Sequence, residues 1–159
     1  MSNKNIGLCI RIAVLTVTLA GVLLCAFGYP DLVMFSSLAF PSEKETLFFY
    51  SQLIFYWAVS VPCFIIMALI WNVSTRIRKG ETFSFKIYRY LRISATILFA
   101  DCGVFFVGNT VFYLLDSNPF FVFYLIIGMV GVAIALCATA LSAMAKNAAM
   151  LKEDNDSII

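Results

Sequence analysis

The chain has 159 residues, of which 62% are hydrophobic and 13% charged, with no histidine and a net charge of +2. Soluble domains carry roughly 45–50% apolar and about 25% charged residues, and one domain of this size cannot hide the excess from water. An ordinary soluble fold is therefore excluded and lipid is required as the solvent.

Cysteine usage removes two further classes. Cys9, Cys25, Cys63, Cys102 and Cys137 are odd in number, lie inside apolar runs and form no C-x-x-C pair. Neither a disulfide framework nor a zinc site is indicated, and the thiols read as small hydrophobes.

A hydrocarbon core about 30 Å thick needs about 20 apolar residues of helix to cross it. Four runs qualify, at 6–28, 47–73, 93–115 and 120–144. They are continuously apolar, whereas barrel strands alternate over about ten residues. The predicted fold is all-α, an integral membrane four-helix bundle forming one domain over residues 1–159.

The first run carries Arg11 about five residues past its start. Ala26-x-Gly28 resembles a signal-peptide cleavage site, yet the run is long, three more spans follow, and "VLLC" lacks the small residue of a lipoprotein signal. It is expected to be retained as a span. Residues 29–46 contain Pro30, Asp31, Pro41, Glu43, Lys44 and Glu45, and read as a connection outside the membrane. In the second run, Pro62 removes the hydrogen bond to the Ala58 carbonyl and predicts a kink. Tyr50 and Trp71 stand at its two edges as interfacial anchors.

Residues 74–92 hold Arg76, Arg78, Lys79, Lys86, Arg89 and Arg92, six of the eleven cations in the chain. Gly80 ends the second helix and Ser84 is placed to cap a new one from Phe85. Lys86, Arg89 and Arg92 then lie near the membrane surface, with Ile87 and Leu91 facing lipid or the bundle. Contact with anionic headgroups, worth about 1 kcal/mol per cation, is the plain reading. Docking of a cytosolic protein is the sharper one.

Asp101 lies eight residues beyond Ile93 in the third run, roughly 12 Å below the surface at about 1.5 Å per residue. A carboxylate there costs on the order of 2.5–3.5 kcal/mol and faces the bundle or a partner. Arg11 enters from the same side, so an Arg11–Asp101 pair between helices one and three is predicted, with a neutral Asp101 holding its proton as the alternative. A proton or cation relay would need several such groups, and Asn109, about two turns further on, is the obvious companion.

The fourth run follows the tight "DSNP" turn at 116–119. Its small residues Gly128, Gly131, Ala135, Ala138, Ser142, Ala145 and Ala149 recur at spacings of three and four. Such a stripe lets backbones approach closely in lipid and marks a packing seam. It fits a helix of the same chain better than a homo-oligomer. Because the stripe passes Lys146, the helix is expected to project one or two turns beyond the membrane before an acidic, frayed tail, "LKEDNDSII".

Cytoplasmic segments near spanning helices are enriched in Lys and Arg. Placing 74–92 inside puts both termini inside and leaves only Lys44 of the eleven cations outside. The predicted orientation is N-in, C-in, with a cytoplasmic basic loop at 74–92 and a cytoplasmic tail at 145–159.

"RKGETFSFKIYRYLRIS" at 78–94 and "LKEDNDSII" at 151–159, joined to four spans, resemble the YoaS-like family of small bacterial membrane proteins, domain of unknown function 2975. The shared pattern is Gly80 and Phe83 of a Gly-x-x-Phe loop, the Leu91–Arg92 pair and the acidic tail. This chain has Ser157 and Ile158 where the family tends to Leu and Thr. The resemblance implies a multi-pass protein of the bacterial cytoplasmic membrane, often encoded beside a small helix-turn-helix regulator, and supplies no activity.

The residues lack a Ser–His or Ser–Lys constellation, paired aspartates in the spans and a phosphate loop, which argues against an enzyme. No cofactor, metal or direct nucleic-acid contact is indicated. The expected function is a regulatory or interaction module that presents the basic loop and acidic tail to a cytosolic partner. The alternative is an immunity or export component acting on a membrane-active peptide or small molecule.

Overall fold

The computed structural model describes residues 3–39, 45–81, 84–116 and 120–156. Five α-helices follow in order: α1 (Asn3–Leu23), α2 (Tyr29–Ala39), α3 (Glu45–Arg78), α4 (Phe85–Asp116) and α5 (Phe121–Asp156), with a π-helical turn over Leu24–Gly28 joining the first two. There is no strand among the described residues. Four helical stretches are long and apolar enough to cross a membrane: Asn3–Phe35, Phe49–Arg78, Phe85–Leu115 and Phe121–Asn155. In lipid every backbone polar group must be satisfied inside the chain, and continuous helices do this.

That demand overturns one expectation. Residues 29–35 continue the first apolar span through Gly28 and Pro30 instead of starting a connection, and their helix α2 runs on to Ala39. The π turn makes this workable. The Tyr29 N–H bonds to the Leu24 carbonyl rather than to that of Cys25. Pro30 has no N–H to offer Cys25 either. The carbonyl left over accepts a hydrogen bond from Trp57 Nε1 on α3, at 3.0 Å, so a defect in one helix becomes a tie to its neighbour. Lys44, the one cation assigned to the outside, lies outside the described residues, as do Pro41 and Glu43.

The far end of the chain also differs from expectation. α5 remains helical to Asp156, so the acidic segment Glu153–Asp156 extends the helix nearly three turns past Lys146 instead of fraying. The last three residues of the tail are outside the described part, and so are 117–119 of the expected turn.

Close backbone approach among the described residues links neighbours in chain order: α1 with α3, α3 with α4, and α4 with α5, while α2 also lies on α3. Small residues set each seam, since dispersion between close backbones drives helix association in lipid. Ser74 is wholly buried and donates to the Gly7 carbonyl at 2.7 Å, fixing α1 on α3. A Cβ on Gly108 would run into the Phe55 ring, fixing α4 on α3. The predicted stripe meets α4 of the same chain: a Cβ on Gly131 would stand 2.9 Å from Cys102 Sγ, one on Gly128 would stand 2.7 Å from the Phe106 ring, and Ala135, Ser142 and Ala149 are buried. Ala138 is half-buried on the same seam.

The end of the bundle away from the basic segment is closed by aromatic rings. Val33, Tyr56 and Tyr124 form a buried cluster, with Tyr29, Phe49, Phe105 and Phe120 packed around it. Tyr56 sits between the rings of Tyr29 and Tyr124, each 5.5 Å away by centroid, so α2, α3 and α5 converge on one side chain. Each helix still carries a face of exposed large apolar side chains, such as Leu19, Val61, Val107 and Met129. Lipid is the solvent that such faces need.

Candidate functional site

The basic end is built on a helix terminus closed by backbone hydrogen bonds. Gly80 adopts φ +83°, a left-handed conformation that costs glycine little. The Glu81 N–H reaches back to the Arg76 carbonyl at 3.1 Å and the Gly80 N–H to that of Ile77 at 3.0 Å, the paired bonds of a Schellman motif. Arg76 and Glu81 are also joined through their side chains at 2.8 Å. Both are partly exposed, so this pair holds the shape of the turn and adds at most about 1 kcal/mol. Ser84 starts α4 through its carbonyl, which receives the Ile87 N–H at 3.0 Å. Its hydroxyl, expected to cap the helix, has no partner.

The cations of this end differ in their contacts. Arg76 lies over the Tyr90 ring at 5.7 Å, Arg92 bonds the Tyr88 hydroxyl at 2.7 Å, and the Arg78 stem lies against Gly7 of α1. Arg76 thus ties α3 to α4 and Arg78 ties α3 to α1, while the Arg92 bond stays within α4. Arg78 and Arg92 stay exposed beside these contacts, as are Lys79, Lys86 and Arg89. They give the end its outward positive charge.

The predicted Arg11–Asp101 pair does not form. α1 packs on α3 and not on α4, so the polar groups within reach of Arg11 belong to the second span. Its guanidinium donates to Thr75 Oγ1 at 2.9 Å and lies 4.7 Å over the Trp71 ring. A cation stacked on indole is stabilised by the ring quadrupole, more strongly when desolvated. Trp71, expected to be a membrane anchor, is thus also the partner of Arg11.

Asp101 is buried at 8% exposure, and the Cys63 thiol donates to its carboxylate at 3.7 Å. No cation lies within ion-pair distance of it among the described residues. Two cavities meet at this carboxylate. One, of about 310 Å³, lies along the α3–α4 seam; the other, of about 200 Å³, lies between α2, α3, α4 and α5. The second contains the linked hydroxyls of Ser60 and Tyr29, 3.2 Å apart, and Cys102.

Asn109 does not join Asp101. It is eight residues further along α4, about 12 Å at the helical rise, where it accepts from the Tyr56 hydroxyl at 3.1 Å and donates to the Phe105 carbonyl at 2.8 Å. That satisfies it as a structural residue of the aromatic end.

Sequence reasoning singled out neither Cys63, Ser60 nor Tyr29. Their signal is faint: Ser60 and Cys63 flank Pro62, and Tyr29 sits between Gly28 and Pro30, so the two prolines mark where polar side chains collect.

Comparison with known proteins gives one result. The model of a family described as "Protein of unknown function (DUF2975)" matches residues 33–159, from the middle of α2 to the end of the chain. No curated protein matches, and no solved structure matches.

Proposed function

The chain belongs to the DUF2975 family of proteins of unknown function, and we propose from its own geometry that it is a non-enzymatic interaction module of a bacterial cytoplasmic membrane. In this reading both termini and the basic end face the cytoplasm, and that end docks an acidic surface of a cytosolic protein. The observation that carries it is the exposure of most cations at that end. Arg76 is half-buried and held by Glu81 and the Tyr90 ring, while Arg78, Lys79, Lys86, Arg89 and Arg92 are exposed on the end of α3, closed by its Schellman bonds, and on the first turns of α4. A preformed charged surface loses little entropy on binding and steers association.

The non-enzymatic reading rests on the residue types present. The chain has no histidine, and the carboxylate of the turn, Glu81, is paired with Arg76. The resemblance seen in sequence makes a small helix-turn-helix regulator the partner to test first.

A photo-crosslinking residue at the exposed Phe85, in membranes from cells expressing the full chain, tests the reading. The expected result is a discrete protein adduct that falls on the order of tenfold when Lys79, Lys86 and Arg89 are all changed to Glu. An adduct unaffected by charge reversal, or adducts to lipid alone, would overturn it.

A further inference from the structure

We propose that Asp101 anchors a binding site for a lipophilic organic cation, drawn from the bilayer into the cavity between α3 and α4. This site is separate from the basic end and does not depend on the docking reading.

The first observation is the missing counter-charge. Carboxylates inside a membrane pair with a cation or coordinate one. Asp101 has only a thiol beside it, and Arg11, the one arginine deep in the first span, is occupied by Thr75 and Trp71 on the far side of α3. A buried carboxyl with only a weak donor beside it gains most from a cation brought by a ligand.

The second observation is the space beside it. The 310 Å³ cavity is at the lower end of the range of small-molecule sites, about 300–1,000 Å³. Phe55, Ala58, Pro62, Ile97, Ala100 and Val104 line it with Asp101. Ala58, Ala100 and Val104 are exposed, so the cavity opens on the lipid-facing surface of the bundle. Phe55 adds a π face for a cation. Pro62 adds an acceptor, because its missing N–H leaves the Ala58 carbonyl without the donor a regular helix would supply.

The wall chemistry selects the ligand class. A hard inorganic cation needs an inner shell of about six oxygens, whereas Asp101 is the only acidic side chain at this apolar wall. No three His, Cys, Asp or Glu side chains converge to hold a metal ion among the described residues. An organic cation carries its own apolar shell and needs one anion. The carboxylate would supply the charge and the cavity wall the dispersion contacts.

Purified full-length protein in detergent tests the site with radiolabelled tetraphenylphosphonium as the probe and tetraphenylborate as a control of the same shape and opposite charge. The expected result is saturable binding of the cation at about one per chain and none of the anion. Asp101→Asn should weaken it on the order of tenfold or more, and Asp101→Glu should retain most of it. Where Asp101→Asn does not yield a monodisperse protein, Ala100→Leu decides, since it fills the cavity and leaves the acid in place: lost binding upholds the site and unchanged binding overturns it. No saturable binding by the native chain, or equal binding of the anion, would also overturn it.

Discussion

Trp57 and Pro30 show how a single side chain can be required by a defect elsewhere. The π turn and the proline leave the Cys25 carbonyl without a backbone donor, and the Trp57 indole supplies one. In hydrocarbon no water can replace it. Trp57→Phe keeps the ring and removes the N–H, and the expected cost is about 1–3 kcal/mol, the penalty for stranding an acceptor that faces lipid. Thermal unfolding in detergent reads it. Restoring an N–H with Pro30→Ala should reduce the penalty of Trp57→Phe, so the double-mutant cycle is expected to show coupling; additive losses would mean that the indole bond is not what matters. Arg11 and Asp101 give the opposite forecast. Each is held by α3 through different partners, so the losses from Arg11→Leu and Asp101→Asn should add within roughly 0.5 kcal/mol. A larger interaction term would restore the ion pair that the geometry excludes.

Among the elements, the α4–α5 seam is the one whose register the sequence announced. Gly128, Gly131, Ala135 and Ser142 repeat at heptad spacing because each must let a neighbouring backbone or bulky ring come close. Cys102 fills the notch at Gly131, with its sulfur 2.9 Å from where a Cβ would stand. That is about the separation a disulfide sets between one Cβ and the partner sulfur. Gly131→Cys, in a chain whose only other cysteine is Cys102, should therefore lose both thiols on mild oxidation while remaining monomeric. Met129→Cys, on the exposed face, should keep them; oxidation of both variants alike would contradict the register. The first span was less legible. Pro30 and Asp31 carry the usual marks of a loop, and the sequence offers no sign that a π turn two residues earlier and an indole on another helix would carry the helix past them. The α1–α3 pairing was hidden for a similar reason. Depth alone brought Arg11 level with Asp101, while the choice of neighbour was made by Gly7 and Ser74, two residues that no charge argument notices.

At the scale of the whole molecule, four long apolar helices follow from composition, and the location of the basic cluster at one end follows from the even number of crossings. The direction of insertion is a matter of charge distribution. Ten of eleven Lys and Arg lie at or near one end, including Lys4, Lys79, Lys86, Lys146 and Lys152, and positive residues close to spans resist transfer across the membrane. Single cysteines introduced at Lys79 and at Leu115, in a chain freed of its native thiols, report on the two ends. An impermeant maleimide added to intact cells should label Leu115→Cys and spare Lys79→Cys until the membrane is opened. Lys79, Lys86 and Arg89 are only part of that asymmetry, so the three changed together to Gln should weaken partner capture and leave the labelling pattern unchanged. If those three substitutions inverted the pattern, the exposed cations would be the topological anchor itself, and loss of capture in the charge-reversed chain would follow from misinsertion rather than from a lost docking surface.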